Sequence, residues 1–186
     1  MGQDSERERP MRKWKILVSS LFVTALVDQA AKSWVLEHLI PYESVQPIPA
    51  LAPLFQLTRS SNTGAAFGIL PMAGDVFLIL ALSIVAGLLW HFRSVAPDAS
   101  LVPLAIGLVI GGALGNIIDR LNYGHVIDFI HYQIPNLISN VSNLADHAIV
   151  SGVLLIIAES VWRDRRESDS QITATGAAQD GSGVHG

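Results

Sequence analysis

The chain has 186 residues, of which half are hydrophobic and only 15% charged, and its net charge is −4. A soluble domain of this size carries about 25% charged residues, so a mean hydropathy of +0.41 with clumped apolar residues points to a membrane protein. Cysteine is absent, which excludes disulfides, thiolate metal sites and cysteine nucleophiles. No Lys/Arg-rich surface with interleaved aromatics offers a place for nucleic acid.

Taken in chain order, residues 1–12 are polar and are expected to be disordered. The first hydrophobic stretch runs from about Trp14 to Val35, close to the roughly 20 residues a bilayer-spanning helix needs. It follows Arg7, Arg9, Arg12, Lys13 and Lys15, as a signal peptide would. Its length, the presence of Asp28 and the lack of a small-x-small cleavage site identify it instead as a retained first span. The segment at about 36–70 is too long for a simple connection. Pro47, Pro49 and Pro53 precede Leu54-Phe-Gln-Leu57, which predicts short, proline-broken strands at the outer membrane surface. In the following Arg59–Gly68 turn, Gly64 and Gly68 permit close backbone approach, and Asn62 can hydrogen-bond an extended peptide.

Three further apolar stretches cover about Met72–Phe92, Leu101–Ile118 and Val141–Trp162, with a loop at about 119–140 before the last. The tail after about Glu167 is polar, Gly/Ser-rich and again expected to be disordered. Nine basic residues lie before the first span, between the second and third, or after the fourth, against three (Lys32, Arg59 and Arg120) on the other side. That asymmetry places both termini in the cytoplasm, in keeping with an even number of spans.

A carboxylate at membrane depth is expensive and marks function by default. Asp28, Asp119, Asp128 and Asp146 all fall near the outer ends of the spans, whereas the inner ends hold only Glu159. Asp28 and Lys32 are spaced to pair on one helix face. Gly111 and Gly115 form a GxxxG that lets another helix approach. Asn116 and Arg120 share a face and can point together into a polar cavity. Asp128 is flanked by Val126, Ile127, Phe129 and Ile130, apolar surroundings that favour a protonated carboxyl. Asn143 and Asp146 open the last span, in positions that also suit a helix cap.

Two carboxyls brought close together share a proton, one serving as base and the other as acid. That chemistry suits peptide hydrolysis by a water molecule. A metal site built from His125, Asp128, His131, Asp146 and His147 is the chemical rival, although the usual zinc-protease spacings are missing. A proton- or cation-coupled small transporter is the functional rival, since membrane acids also relay ions.

Asp28-Gln-Ala-Ala-Lys32, Asn62-Thr-Gly-Ala-Ala-Phe-Gly68, Gly111-Gly-Ala-Leu-Gly-Asn-Ile-Ile-Asp-Arg120, Val126-Ile-Asp-Phe129 and Asn143-Leu-Ala-Asp146 resemble, in order, the motifs of the bacterial lipoprotein signal peptidases (signal peptidase II). The resemblance covers about residues 14–162. It implies an α-helical membrane protein with four transmembrane helices, a small periplasmic β-cradle and an interfacial helix, over a peptidase domain of residues 13–166. It implies an aspartic endopeptidase of the cell inner membrane that cleaves diacylglyceryl-modified prolipoproteins before the lipidated cysteine, with Asp128 and Asp146 as the catalytic pair. Asp28, Lys32, Asn62, Gly64, Asn116, Asp119, Arg120 and Asn143 become supporting or substrate-binding residues. The implied partners are the prolipoprotein, membrane lipid and globomycin-type cyclic peptide inhibitors. The implied enzyme is a monomer without metal or organic cofactor. Two positions depart from the pattern: Ser142 stands where the family commonly has Phe, and His147 follows the second aspartate.

Overall fold

A computed structural model describes residues 2–52, 54–64, 73–95, 101–134 and 138–180. Four helices carry the architecture: α1 (Gly2–His38), α2 (Ala73–Phe92), α3 (Leu101–Tyr123) and α4 (Leu144–Asp180). Four short strands, β1 (Ser44–Val45), β2 (Phe55–Asn62), β3 (Val126–Ile134) and β4 (Ile138–Ser142), form an antiparallel meander in the order β1-β2-β3-β4. Within α1, α3 and α4, the segments Met11–His38, Leu101–Tyr123 and Leu144–Arg166 are long and apolar enough to cross a membrane. In α2 the comparable apolar segment among the described residues is the shorter Leu78–Phe92.

The central element is α3, which packs against α1, α2 and α4. Its small residues set those approaches. A Cβ on Gly111 would meet the Leu21 carbonyl of α1, one on Gly112 the Ala145 carbonyl of α4, and one on Gly115 the Asp28 carboxylate. The GxxxG pair thus serves α1, while Gly112 on the adjacent face serves α4. Gly112→Ala is expected to lower stability by about 2 kcal/mol, an overpacking cost, because the atom it meets is backbone and cannot swing aside. Thermal unfolding in detergent measures it, and an unchanged midpoint would refute the close packing of α3 on α4.

Several boundaries differ from the sequence expectation. Helix α3 runs beyond the apolar stretch and beyond Arg120 to Tyr123, and keeps Asn116 and Arg120 on one helix as their shared face required. The region expected to be a loop at 119–140 contains the β3–β4 hairpin, with residues 135–137 outside the described set. Val126–Ile130 are buried without a break, so this strand lacks the alternation that marks a half-exposed one. Both α1 and α4 extend through polar stretches expected to be disordered, beginning at Gly2 and ending at Asp180. These stretches are rich in Glu, Arg, Gln and Ala, which are good helix formers. Outside the four helices, the only helical segment among the described residues is a single 3-10 turn, Pro49–Leu51, so no longer interfacial helix is seen among them. Residues 65–72, the end of the Asn62–Gly68 motif, lie outside the described residues.

The sheet is tied to the end of α1. Arg59 in β2 donates from one guanidinium nitrogen to the carbonyls of Leu36 and Leu39, both at 3.1 Å, satisfying two carbonyls that the helix terminus leaves without partners. Val35, Leu39, Ile127, Phe129 and Ile130 form the apolar cluster between α1 and β3.

Candidate active site

Five elements (α1, β2, α3, β3 and the start of α4) bring nine of the ten predicted residues into one connected polar network, and Gly64 supports it from just beyond β2. Lys32, 1% exposed, lies at the centre of one half. Its ammonium contacts Asp28 at 2.8 Å, Asp119 at 2.7 Å and the Asn116 side-chain oxygen at 2.9 Å, so its three N–H donors meet three acceptors. Asp28 and Asp119 are fully buried. Their remaining lone pairs are also used. Asp28 accepts the backbone N–H of Ala145 at 2.9 Å, one of the orphan donors in the first turn of α4. Asp119 accepts the Ile127 backbone N–H at 3.0 Å and the Gln29 amide at 2.9 Å. This half therefore holds α1, α3, β3 and the start of α4 in one arrangement.

Asp128 and Asp146 make the other half, and Asn143 touches both. Its side-chain N–H donates to Asp128 at 2.6 Å, its backbone N–H to Asp146 at 3.4 Å, and its side-chain oxygen accepts the Asp146 N–H at 2.9 Å. The last two bonds form a reciprocal cap on α4. The helix-cap reading of Asn143 and Asp146 therefore coexists with the paired-acid reading. Capping also fixes the Asn143 amide so that its N–H2 faces Asp128. Asn62 is fixed in the same way. Its oxygen accepts the Gly64 N–H at 2.8 Å and its N–H2 donates to Asp128 at 2.9 Å. Gly64 achieves this with φ +75°, the left-handed region that glycine enters freely. One of the Asn62 amide N–H groups is thus engaged by Asp128. The bulge in the β2–β3 pairing between Leu57 and Ser60 sets Asn62 in register to reach that carboxylate.

Asn116 joins the two halves. Its oxygen accepts from Lys32 and from the Asn143 amide at 3.2 Å, and its N–H2 donates to Asp146 at 2.9 Å. Arg120, one turn on, donates to the Asn116 carbonyl at 3.3 Å, while its buried Nε finds no partner among the described residues. Asn116 and Arg120 head a cavity of about 200 Å³ between α2, α3 and α4, whose walls include Leu80, Ile84, Val109, Ala113 and Ile149.

Asp128 is 2% exposed. Burial raises its pKa from 3.8 to about 6; the charge of Asp146 adds to the rise, while the Asn62 and Asn143 hydrogen bonds and the Lys32 charge oppose it. Its apolar neighbours in sequence had indicated that direction. Sequence reasoning missed Gln29 and the donated N–H groups of Ile127 and Ala145. Gln29 stood beside Asp28 in the first motif, but backbone donors carry no sequence signature. Two histidines of the rival metal reading, His131 and His147, have their ring nitrogens in hydrogen bonds. His131 bridges Thr58 and Ser139 at 3.0 and 2.9 Å, and among the described residues no three potential ligands are grouped for a metal.

Comparison with known proteins accords with this arrangement. The family model described as Signal peptidase (SPase) II matches residues 20–162. The lipoprotein signal peptidase of Pelotomaculum thermopropionicum is 42% identical over 79% of this chain and 90% of its own length. That of Halothermothrix orenii is 36% identical over 80% and 97%. A solved bacterial membrane enzyme, determined in meso at 2.3 Å resolution, is 31% identical and superposes with a TM-score of 0.69, covering 80% of this chain and 88% of its own. With the family model spanning most of the chain and every network residue from Asp28 to Asp146 inside the matched range, the chain belongs to the signal peptidase II family.

Proposed function

We propose that this protein is an aspartic endopeptidase that removes signal peptides from prolipoproteins, cutting on the amino side of a diacylglyceryl-modified cysteine. The observation that carries this reading is the junction at Asn143, which hydrogen-bonds both Asp128 and Asp146 while burial keeps one of the pair protonated at mildly acid pH. Asp146 acts as the base on a water molecule, and Asp128 donates its proton to the scissile carbonyl oxygen. Collapse of the tetrahedral intermediate then returns a proton to the leaving amine. The active form of the pair carries one proton. The Arg120 guanidinium, with a donor to spare beside the cavity, is suited to hold a substrate carbonyl.

In this reading all four helices cross the inner membrane and both termini are cytoplasmic. The pair of acids lies near the outer leaflet under the periplasmic sheet, and the enzyme works as a monomer without a cofactor. Globomycin-type cyclic peptides would compete for the space between the aspartates. The transporter alternative gains no support, because the acids are consumed in a fixed network rather than spaced along a path. The direct test is purified protein with a diacylglyceryl-modified precursor. Cleavage immediately before the modified cysteine supports the reading, and intact precursor after prolonged incubation refutes it.

A pH profile follows from the Asp128 value. In the free enzyme the shared proton is lost as pH rises through about 6, so kcat/KM is expected to fall above that pH. An apolar substrate excludes water and further disfavours the ionised pair, so the corresponding limb of kcat moves to higher pH. Steady-state rates between pH 5 and pH 9 check both limbs. A kcat/KM that climbs steadily over that range would overturn Asp128 as the proton donor.

A further inference from the structure

The aspartate pair separates two spaces of different character. The cavity headed by Asn116 and Arg120 is walled by aliphatic side chains of α2, α3 and α4. A second pocket, of about 440 Å³, lies on the sheet side of Asp146, where Asn62, Tyr132, Ser142 and His147 bring polar groups to a wall that also includes Val141 and Val150. The two share no lining residue, yet Asp146 lines one and its hydrogen-bond donor Asn116 lines the other. An extended chain laid across the carboxyls therefore enters both.

The direction of the chain follows from chemistry. A signal peptide brings an apolar segment of roughly 7–15 residues on the amino side of its cleavage site, and burying that segment is favourable only against apolar walls. The more uniformly aliphatic cavity therefore takes the amino side, leaving the carboxyl side to the pocket of mixed lining, which carries more polar groups. We propose that this pocket is the subsite for the residue that follows the modified cysteine, with Ser142, Tyr132 and His147 determining which side chains it admits. The inference rests on the function proposed above.

Ser142 supplies the room. It is buried, its side chain is small, and among the described residues its hydroxyl reaches only the Ile130 carbonyl, at 3.5 Å. The facing wall is rigid. A carbonyl can only accept, so the 2.6 Å contact between His147 Nδ1 and the Asn143 carbonyl places a proton on Nδ1. In the neutral ring Nε2 is then an acceptor, and the Tyr132 hydroxyl donates to it at 3.1 Å. The two rings lie 5.7 Å apart. This bond also links the strand carrying Asp128 to the helix carrying Asp146, so the wall cannot recede without disturbing the pair.

The test uses two sets of diacylglyceryl-cysteine precursors. One varies only the residue after the cysteine (Ser or Trp), and the other only the residue before it (Gly or Ala). Ser142→Phe is expected to lower the Trp/Ser ratio of kcat/KM by about tenfold or more, the scale of steric discrimination in a pocket. The ratio for the preceding position should stay as in the wild type. Ser142→Ala, which keeps the space, retains the wild-type Trp/Ser ratio. Ser151→Phe fills the pocket from an exposed position on α4 and serves if Ser142→Phe does not fold. Cleavage with an unaltered Trp/Ser ratio in both filling variants would overturn the subsite alone, as would an effect confined to the preceding residue. Failure of the wild-type chain to cleave any precursor would overturn the proposed function and the subsite with it.

Discussion

Asp128→Asn and Asp146→Asn are each expected to reduce cleavage by about 10³-fold or more, since positioned proton transfer alone contributes about 10²–10⁴ and each variant removes the proton-sharing pair. The protein should still fold, because neither residue takes part in the Lys32 cluster that joins α1, α3, β3 and α4. A stability measurement separates the two properties. The folded-state pKa of Asp128 lies above its ordinary value, so the native protein binds more protons than the unfolded chain between about pH 4 and pH 6. The stabilisation contributed by Asp128 is then fully present below about pH 4 and is lost as pH rises to about 6, by roughly 3 kcal/mol for a shift of this size. Asp128→Asn cannot ionise, and its thermal midpoint should lose that portion of the slope. Substantial residual cleavage by either variant would remove the pair from the mechanism. An unchanged slope in Asp128→Asn would show that Asp128 does not carry the raised pKa.

Much of this site was legible in the sequence because membrane solvent makes polar residues conspicuous. Asp28, Asp119, Asp128 and Asp146 stood out for their cost, and helical spacing put Lys32 beside Asp28 and Arg120 beside Asn116. What spacing could not give was the partition between the acids. Only the fold shows that Lys32 takes two of them, Asp28 and Asp119, and that Asn143 joins the other two. The spans were readable for the same reason as the acids, whereas the hairpin was not. A strand buried on both faces, such as Val126–Ile130, has neither alternation nor helical period to mark it. The last residues of α3, after Arg120, were not legible because the apolar stretch that marks the span ends at Ile118 and polar residues follow it. Ser142 and His147 were visible as departures from a family pattern, but the pocket between them required the hairpin to be placed against α4.

Lys32→Met is expected to have the largest effect on stability. Both carboxylates it serves are fully buried and stay so when the ammonium is gone. Breaking a buried ion pair by removing one partner costs about 3–5 kcal/mol, and here one cation answers two anions. Set against the 5–15 kcal/mol that typically separates folded from unfolded protein, the single variant should unfold in detergent well below the wild-type temperature. Combining Lys32→Met with Asp28→Asn and Asp119→Asn should recover most of the loss. The asparagine oxygens can still accept the backbone N–H groups of Ala145 and Ile127, and no unpaired charge remains. Activity should not recover to the same extent. Without Lys32, the Asn116 oxygen keeps only the Asn143 amide as a donor, and the orientation that aims its N–H2 at Asp146 is less firmly held. Cleavage that returned in proportion to stability would mean that the cluster acts only as a structural clamp. Lys32→Met with wild-type stability would refute the buried network itself. Stability regained without cleavage is the expected result, because Asn116 belongs to both halves, and the charge cluster that holds the helices together also orients the donor to Asp146.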